Sequence, residues 1–275
     1  MSVIFPWSAD QIQRALASCE TDPVTPLIFK YFHDESRILE DGCGTGRYVK
    51  YLKNHGYNVL GLEISSETVS MIHRMWPELQ VVVGDAANLP FRDASFDGVI
   101  SLGTVEHFRE GPAKPLREIF RVLKEGGVAL ITVPCLNLVR RFKRLLWWKE
   151  LMAVPRAFLS VAMRQRPISR LRINRLRAPY KYAVSPPLGD FFEYHLTPVQ
   201  FLRELREAGF EIIEHLPIGN VDGLLFELNP LQFVVKKNDH GHNQLTRFGQ
   251  LLDRVFSKIS FFHCHMQLAI VKKPL

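Results

Sequence analysis

Short apolar segments alternate with longer amphipathic segments through the first half of the chain. The short segments are almost continuously apolar, which predicts buried strands at 37–41, 58–64, 79–85, 96–102 and 126–134. Between them apolar residues recur at helical spacing, which predicts helices over 45–56, 66–76 and 113–126. Alternation at this spacing requires right-handed crossovers between parallel strands. The pattern therefore predicts the α/β class, with an open, doubly wound sheet.

The second half of the chain has a less regular pattern, from which three segments stand out. Residues 197–218 combine a cap, an amphipathic helix, a glycine and a strand. Residues 245–259 have the spacing of another amphipathic helix, and residues 265–273 that of a last strand. These segments predict that the sheet is completed by the end of the sequence.

One enlarged domain with a central insertion is the simplest organisation of this chain. With 275 residues, 47% of them hydrophobic, it can bury one substantial core. We expect an N-terminal helical cap (1–36), a core (37–134), an insertion (135–192) and a C-terminal part of the same domain (193–275). Four scattered cysteines, no secretory signal and no uncharged apolar run of spanning length lead us to expect a cytoplasmic protein with reduced thiols.

Positive charge is concentrated in the insertion. The whole chain has a net charge of +7, and residues 135–183 contain ten arginines and three lysines against one acid, Glu150. This segment therefore has a net charge of +12 and the rest of the chain one of −5. An anionic partner is expected to bind the insertion.

The insertion begins with the pattern of a basic amphipathic helix. In helical projection Leu138, Phe142 and Leu145 fall along one edge, with Val139 and Leu146 beside them, and the arginines and lysines point elsewhere. A tryptophan pair follows directly. This arrangement is typical of a segment that lies in a membrane interface.

Three interpretations of residues 138–182 are open. The segment is a contact with an anionic membrane surface, or a lid helix whose apolar edge packs on the domain while its arginines are solvated. A third interpretation is an RNA-binding patch. RNA is less favoured, because the aromatic residues cluster with leucines and are not interleaved among the later arginines.

A glycine-rich stretch, EDGCGTG at 40–46, directly follows the first predicted strand. Its glycines stand at alternate positions, Gly42, Gly44 and Gly46. They permit a tight turn and a close approach of the backbone to a ligand. Glu63 and Asp85 end the next two strands, at the edge where such sheets bind ligands, and Glu63 is placed to bond two ribose hydroxyls. These features predict a nucleotide-like cofactor, although Arg47 stands where a dinucleotide fingerprint requires glycine.

Four segments together resemble the class I S-adenosylmethionine-dependent methyltransferases, especially the type 11 branch that includes quinone-biosynthesis enzymes. They are RILEDGCGTGRYVKYL, VLGLEIS, VVVGDAANLPFRDASFDGVISLGTVEHF and REIFRVLKEGGVALITVP. The match runs in register from Arg37 to Pro134. The resemblance implies S-adenosyl-L-methionine as cofactor. It also implies a Rossmann-like seven-stranded sheet with a helical, basic insertion after the fifth strand, and a final antiparallel strand that residues 265–273 would supply.

The resemblance also implies which residues bind the cofactor. Glu40 would meet its ammonium group, Glu63 its ribose, and Asp85 with the Ala86 backbone its adenine edge. Ile64 would pack on the adenine. Further contacts along the methionine part would come from Gly42, Gly44, Gly46 and Leu102.

Two positions depart from the family pattern. Glu40 replaces the commoner aspartate, and Asp41 stands where the family usually has an apolar residue. Both departures are tolerable within the family pattern, and the alternative for Asp41 is a solvated or capping side chain.

Candidate catalytic residues come from the stretches on either side of the insertion. Methyl transfer needs positioning and exclusion of water, and a general base only if the nucleophile is a hydroxyl or an acidic carbon. His195 and Glu193 are the leading candidates, and His107 is the third. Structural roles are open for each of them, such as His195 helping to begin the following helix. No metal is predicted, since the four histidines at 240, 242, 263 and 265 form only HxH pairs.

The sequence thus predicts a methyltransferase that acts on a small-molecule or lipid-linked acceptor, with transfer to oxygen favoured over carbon or nitrogen. It is expected in the cytoplasm, peripherally associated with membrane. One alternative is an RNA methyltransferase that uses the basic insertion. Another is a cofactor-binding scaffold or partner subunit without catalytic activity.

Overall fold

The computed structural model describes residues 9–145, 180–185, 189–228, 233–237 and 243–275. Its helices are Ala9–Ser18 (α1), Thr25–Tyr31 (α2), Arg47–Asn54 (α3), Ser66–Met75 (α4), Ala113–Val122 (α5), Leu138–Leu145 (α6), Pro198–Glu207 (α7), Asn220–Leu228 (α8) and Arg247–Phe256 (α9). Its strands are Arg37–Asp41 (β1), Asn58–Glu63 (β2), Gln80–Val83 (β3), Phe96–Leu102 (β4), Leu123–Pro134 (β5), Tyr180–Ser185 (β6), Gly189–Tyr194 (β7), Glu211–Ile218 (β8), Val235–Lys237 (β9), Asn243–Leu245 (β10) and Met266–Lys272 (β11). Two short 3₁₀ helices are Cys19–Thr21 and Val105–His107.

Seven strands form the central sheet, in the order β3-β2-β1-β4-β5-β11-β8. Strands β1 to β5 pair in parallel, and β11 pairs antiparallel with both β5 and β8. The predicted doubly wound sheet and its final antiparallel strand are confirmed. Two hairpins, β6 with β7 and β9 with β10, lie outside this sheet.

Helices cover both faces of the sheet, so neighbouring strand residues are buried on opposite sides. Ile38 and Leu39 are adjacent in β1 and both fully buried, yet they belong to separate apolar clusters. The Ile38 cluster includes residues of α2, α3 and α4, and the Leu39 cluster includes residues of α5 and α7. This two-sided burial explains why the strands are continuously apolar in sequence.

Helix α5 ends earlier than the helical pattern predicts. The pattern runs to residue 126, whereas α5 ends at Val122 and Leu123 already pairs with Phe96 of β4. The backbone is already extended at Leu123, with φ −70° and ψ 138°, and Gly126, with a φ of +74°, lies within β5. The predicted end of the helix was wrong because Leu123 is buried within the sheet. An apolar residue at helical spacing has the same sequence pattern whether a helix or a strand buries it.

Helix α6 places its apolar residues in different surroundings. Leu138 and Phe142 of the predicted apolar edge are 40% and 59% exposed, whereas Val139 beside that edge and Arg140 are each 8% exposed. The lid interpretation of the insertion stays a prediction. The Arg140 guanidinium donates to the carbonyl oxygens of Cys135 (2.7 Å) and His265 (3.2 Å), so it replaces water with backbone acceptors. Among the helices in the described ranges, none has the length and apolar content to span a membrane.

Candidate cofactor and acceptor site

The glycine loop between β1 and α3 has a backbone that only glycine adopts easily. Gly42, Gly44 and Gly46 have φ values of +72°, +51° and +69°. A Cβ on Gly42 would lie 2.3 Å from Oγ1 of Thr104, and one on Gly46 would lie 3.1 Å from Cδ1 of Ile72. The loop is therefore held in close contact with β4 and α4, with its backbone at the carboxyl edge of the sheet.

Two acids stand at the ends of the next strands. Glu63 accepts hydrogen bonds from the backbone N–H of Gly44 (3.0 Å) and of Ser65 (2.9 Å), so it joins the glycine loop to the start of α4. Asp85 is exposed and accepts a hydrogen bond from the N–H of Ala87 at 2.9 Å. Both side chains are fixed by local backbone donors before any ligand is bound.

Glu40 and Arg47 place opposite charges beside the loop. Glu40 is 5% exposed and accepts a hydrogen bond from the N–H of Val49 at 2.9 Å. Burial raises the pKa of Glu40 to about 8, against the opposing influence of the Arg47 guanidinium. Arg47 donates to the Ser18 hydroxyl (2.9 Å) and to the Asp22 carboxylate (2.8 Å), which ties α3 to the N-terminal segment.

Asp41 is fully buried, which contradicts its interpretation as a solvated or capping side chain. Its Oδ2 accepts a hydrogen bond from the Ser101 hydroxyl at 3.2 Å, and its Oδ1 has no hydrogen-bond partner among the described residues. Burial raises the pKa of Asp41 to about 7, with Asp85 and Glu63 acting in the same direction. Asp41 is in register with Leu62 of β2, and its position in the strand directs the carboxyl group into the interior, whatever its polarity.

A cavity of about 490 Å³ opens above the loop, at the carboxyl ends of β1, β2 and β4. This volume is within the range of small-molecule sites. Of the nine candidate cofactor residues, eight line it: Glu40, Gly42, Gly44, Glu63, Ile64, Asp85, Ala86 and Leu102. Gly46 is not among the lining residues, since it instead precedes α3 and packs on α4.

His107 and Phe108 line the cavity next to Leu102 and Gly103, at the end that the resemblance assigns to the methionine part. His107 lies 4.0 Å from Oε1 of Glu106, measured from its Nε2. Glu106 is 2% exposed and its Oε2 has no hydrogen-bond partner. Burial raises the pKa of Glu106 well above its ordinary value, and the nearby charge of Glu193 acts in the same direction.

His195 and Glu193 lie beside this end of the cavity, although neither is among its lining residues. Nε2 of His195 forms a hydrogen bond with Oε1 of Glu193. Strand β7, which carries Glu193, is held against the neighbouring loop by Tyr194, whose hydroxyl donates to the carbonyl oxygen of Arg109 at 3.0 Å. The following helix begins with the capping box of Thr197 and Gln200, so His195 is not its cap. The three candidate catalytic residues therefore come together in one neighbourhood.

Sequence reasoning missed several residues of this site. The sequence indicates only a missing glycine at Arg47, whereas Arg47 lines the cavity together with Ala15 of α1, Thr104 and Phe108. Its charge, seven positions after Glu40, is the signal that could have indicated a pair of opposite charges. Glu106 gave no such signal, because neither its burial nor its unpartnered oxygen is visible in a sequence.

The polar residues of the cavity fit S-adenosylmethionine. The methionine part of this cofactor has an ammonium and a carboxylate group, and the cavity offers an acid, Glu40, and a base, Arg47. The ribose and adenine of the cofactor need acceptors such as Glu63 and Asp85. Across the described ranges, histidine, cysteine and acid side chains form no group of three or more that could hold a metal ion. His240 and His242 lie outside those ranges.

Comparisons with known proteins agree with this fit. A family model described as "Methyltransferase domain" matches residues 39–131. A probable tRNA methyltransferase 9B from Mus musculus is 35% identical over 113 residues, which are 39% of this chain and 24% of that protein. A probable S-adenosylmethionine-dependent methyltransferase from Mycolicibacterium smegmatis is 35% identical over 97 residues, 35% of this chain and 37% of that protein. These matches span less than half of either relative.

One relative matches over a longer range. A demethylmenaquinone methyltransferase from Chlorobaculum tepidum is 26% identical over 195 residues, covering 70% of this chain and 72% of that protein. Among solved structures, a Pyrococcus horikoshii protein superposes with a TM-score of 0.58 at 16% identity, covering 97% of this chain and 92% of that one. A SAM-dependent methyltransferase from Methanosarcina mazei gives 0.54 at 20% identity, covering 91% and 98%. These superpositions show that the fold is shared.

Proposed function

We propose that this chain, which belongs to the class I S-adenosylmethionine-dependent methyltransferases of the type 11 family, transfers a methyl group to an oxygen of a small-molecule or lipid-linked acceptor. The observation that carries the proposal is the cavity at the carboxyl edge, where a glycine cradle meets Glu40, Glu63 and Asp85. The cofactor of this family is S-adenosylmethionine, which supplies an electrophilic methyl group on a sulfonium.

Each polar residue of the cavity has a proposed partner on the cofactor. Glu40 would hold the ammonium group and Arg47 the carboxylate, so that the methionine part is fixed at both charges. Glu63 would accept from the ribose hydroxyls, and Asp85 with the Ala86 backbone would bind the adenine edge. These contacts would aim the reacting carbon at the end of the cavity that His107 lines.

The acceptor would enter beside His107 and the pair of His195 and Glu193. Glu193 would orient the His195 imidazole through their hydrogen bond. The imidazole would then take the proton of an acceptor hydroxyl as its oxygen attacks. His195→Gln and Glu193→Gln should each lower methyl transfer by about 100-fold while cofactor affinity stays unchanged. His55→Gln, at the exposed residue that follows α3, is the matched control.

A lipid-linked or quinone-like acceptor is supported by the demethylmenaquinone methyltransferase relative, because that match extends beyond the cofactor-binding residues. Contact with an anionic membrane through residues 138–182 belongs to this proposal. Residues 146–179 of that segment lie outside the described ranges. The exposed Leu138 and Phe142 of α6 support such a contact.

An RNA acceptor is the second candidate, because several relatives carry the name tRNA methyltransferase. Those matches cover about 100 to 113 residues, 36% to 39% of this chain, whereas the match to the demethylmenaquinone methyltransferase covers 70%. The RNA candidate therefore rests on a shorter stretch of similarity. Binding of tRNA that weakens steeply with salt, and methylation of that tRNA, would favour this candidate.

Calorimetric titration with S-adenosylmethionine and S-adenosylhomocysteine, with NAD as control, tests the cofactor site. We expect binding of the first two and none of NAD. Transfer of a radiolabelled methyl group is then assayed in parallel with lipid extract and with tRNA. Labelled lipid supports the proposal, labelled tRNA supports the second candidate, and cofactor binding without transfer to any extract would indicate a non-catalytic scaffold.

A further inference from the structure

Helix α9 uses one side to complete a small apolar core. Leu252 and Phe256 pack against the buried cluster of Leu224, Val234 and Val235. Gly249 on the same side is pressed against the backbone, since a Cβ there would lie 2.0 Å from the carbonyl oxygen of Val234. The orientation of α9 is therefore fixed, and its other sides face outward.

An adjacent side of α9 carries apolar residues that this core does not bury. Phe248, Leu251 and Val255 are 53%, 56% and 51% exposed, and their spacing of three and four residues aligns them along the helix. Ile259 follows just after the helix and is 49% exposed. We call Phe248, Leu251 and Val255 the α9 stripe. An exposed row of large apolar side chains is typical of a contact surface.

One border of the α9 stripe is entirely basic. At 100° per residue Arg247, Arg254 and Lys258 fall together along the stripe, on the side away from the buried core. All three are exposed, and within the described part of the chain none of them forms an ion pair. The helix has one acid, Asp253, which points away and bonds Nε2 of His263 at 3.1 Å. The stripe is thus an apolar surface with a positive margin.

The segment after α9 contacts a second element with exposed apolar residues, α6. The N–H of Leu138 donates to the carbonyl oxygen of Phe261 at 3.2 Å, which joins the start of α6 to this segment. Leu138 and Phe142 are themselves exposed. The segment leads into β11, whose Met266 pairs with Pro134 at the end of β5. The start of α6 and the segment after α9 therefore lie at the carboxyl edge of the parallel strands, the edge at which the cofactor cavity opens.

We propose that the α9 stripe is a docking surface for an anionic lipid bilayer. Apolar side chains enter the headgroup boundary, and the basic margin pairs with lipid phosphates, which is the arrangement of helices that lie in a membrane interface. Docking would turn the carboxyl edge of the sheet toward the lipid. The benefit of this orientation for catalysis rests on the proposed lipid-linked acceptor. Binding of the α9 stripe to the bilayer does not depend on methyl transfer.

Vesicle sedimentation of the purified protein tests the surface. The vesicles are equimolar phosphatidylcholine and phosphatidylglycerol, with pure phosphatidylcholine as reference. We expect L251S/V255S and R254E/K258E each to weaken binding by about tenfold, the second variant most clearly at low salt. Controls are I213S, which changes an exposed apolar residue of β8, and K114E/R117E, which changes two exposed bases of α5. Wild-type binding by both stripe variants, or no binding of the wild-type protein, would overturn the proposal.

A second measurement separates α9 from the basic insertion. Leu251→Cys introduces an accessible thiol in a protein whose four cysteines are buried, so it can be labelled with an environment-sensitive fluorophore. We expect a blue shift with anionic vesicles and quenching by spin-labelled lipid, with neither effect for Ile213→Cys. An unshifted spectrum while the protein sediments would overturn the proposal. So would dimerisation without vesicles that L251S/V255S abolishes, because the stripe would then bind a second copy.

Cofactor titration of the same variants distinguishes a failure of the docking surface from a failure of the proposed function. None of the changed residues lines the cofactor cavity, so S-adenosylmethionine should bind all variants as it binds the wild-type protein. Lost vesicle binding with retained cofactor binding supports the docking surface. If the wild-type protein binds vesicles and no cofactor, the proposed function fails and the docking surface stands.

Discussion

At position 42 even a methyl group would collide with its surroundings. Gly42→Ala would place a Cβ 2.3 Å from Oγ1 of Thr104 on a backbone with φ of +72°. We expect the glycine loop to shift, with S-adenosylmethionine affinity at least tenfold weaker and stability lower by about 1–3 kcal/mol. Gly56→Ala is the matched control, because Gly56 has a φ of +88° but nothing within 4 Å of its Cβ position. An equal loss of affinity in both variants would contradict the assigned cradle.

We expect Glu40 to couple cofactor binding to proton release. Its pKa of about 8 lies above the ordinary 4.5, so below about pH 8 the free protein holds this carboxyl mostly protonated. An ammonium group favours the ionised form, so binding should release a proton near neutral pH and affinity should rise with pH toward 8.

Calorimetry in buffers of different ionisation enthalpy counts these protons. We expect release on binding S-adenosylhomocysteine and none with Glu40→Gln. Methylthioadenosine, which lacks the amino-acid part, is the matched ligand control and should release none. Proton release that survives in Glu40→Gln would assign it to another group.

Among the elements, α1 is held over the cavity through one side chain of α3. Arg47 bonds Ser18 and Asp22, while Ala15 of α1 lines the cavity. Arg47→Ala should therefore make the segment before residue 24 more sensitive to protease and weaken cofactor affinity by about tenfold. Lys50→Ala on the same helix removes a pair with Glu78 that lies outside the cavity, and should change neither. Unchanged protease sensitivity in Arg47→Ala would contradict this tether.

The elements that sequence predicted best are those whose burial is uniform. Strands β1, β2 and β4 are buried on both faces over most of their length, so their sequences are almost continuously apolar, and the glycines between β1 and α3 mark the turn above them. Strand β3, at the edge of the sheet, is more exposed. Glu63 and Asp85 were found because a parallel sheet places the ends of its strands at one edge.

The remaining features depend on contacts between distant parts of the chain. The burial of Arg140 is decided by acceptors at residues 135 and 265, and that of Asp41 by its place in β1, opposite Leu62 of β2. Helical projection assumes that charged residues face water, so it predicts Arg140 at the surface. Arg140 is buried instead, because backbone carbonyls replace water around its guanidinium.

At the scale of the whole molecule, the buried acids make the stability of the fold depend on pH. The pKa of Asp41 is about 7 in the folded protein, above the ordinary 3.8, so the folded state holds this proton more tightly than the unfolded chain does. The contribution is fully present below the unfolded value and is lost as pH rises through about 7. Glu40 acts in the same direction up to about pH 8.

Urea denaturation at about pH 5 and about pH 8 measures this effect. Asp41→Asn removes the titration, so its free energy of unfolding relative to wild type should rise by about 2 kcal/mol between the two conditions. Asp34→Asn removes an exposed carboxylate and serves as the control. A constant difference between Asp41→Asn and wild type at both conditions would show that Asp41 is not the titrating group.

The position of β11 in the sheet determines the order in which parts of the sheet can form during synthesis. Strand β8 pairs only with β11 among the described strands, and β11 lies between β8 and β5. During synthesis β1 to β5 can assemble as soon as they leave the ribosome, whereas β8 must wait with an unpaired edge until residues 266–272 arrive. The part of the sheet that holds the cofactor cavity can therefore form first, and the part with β8 at its edge is closed only after β11 has been synthesised.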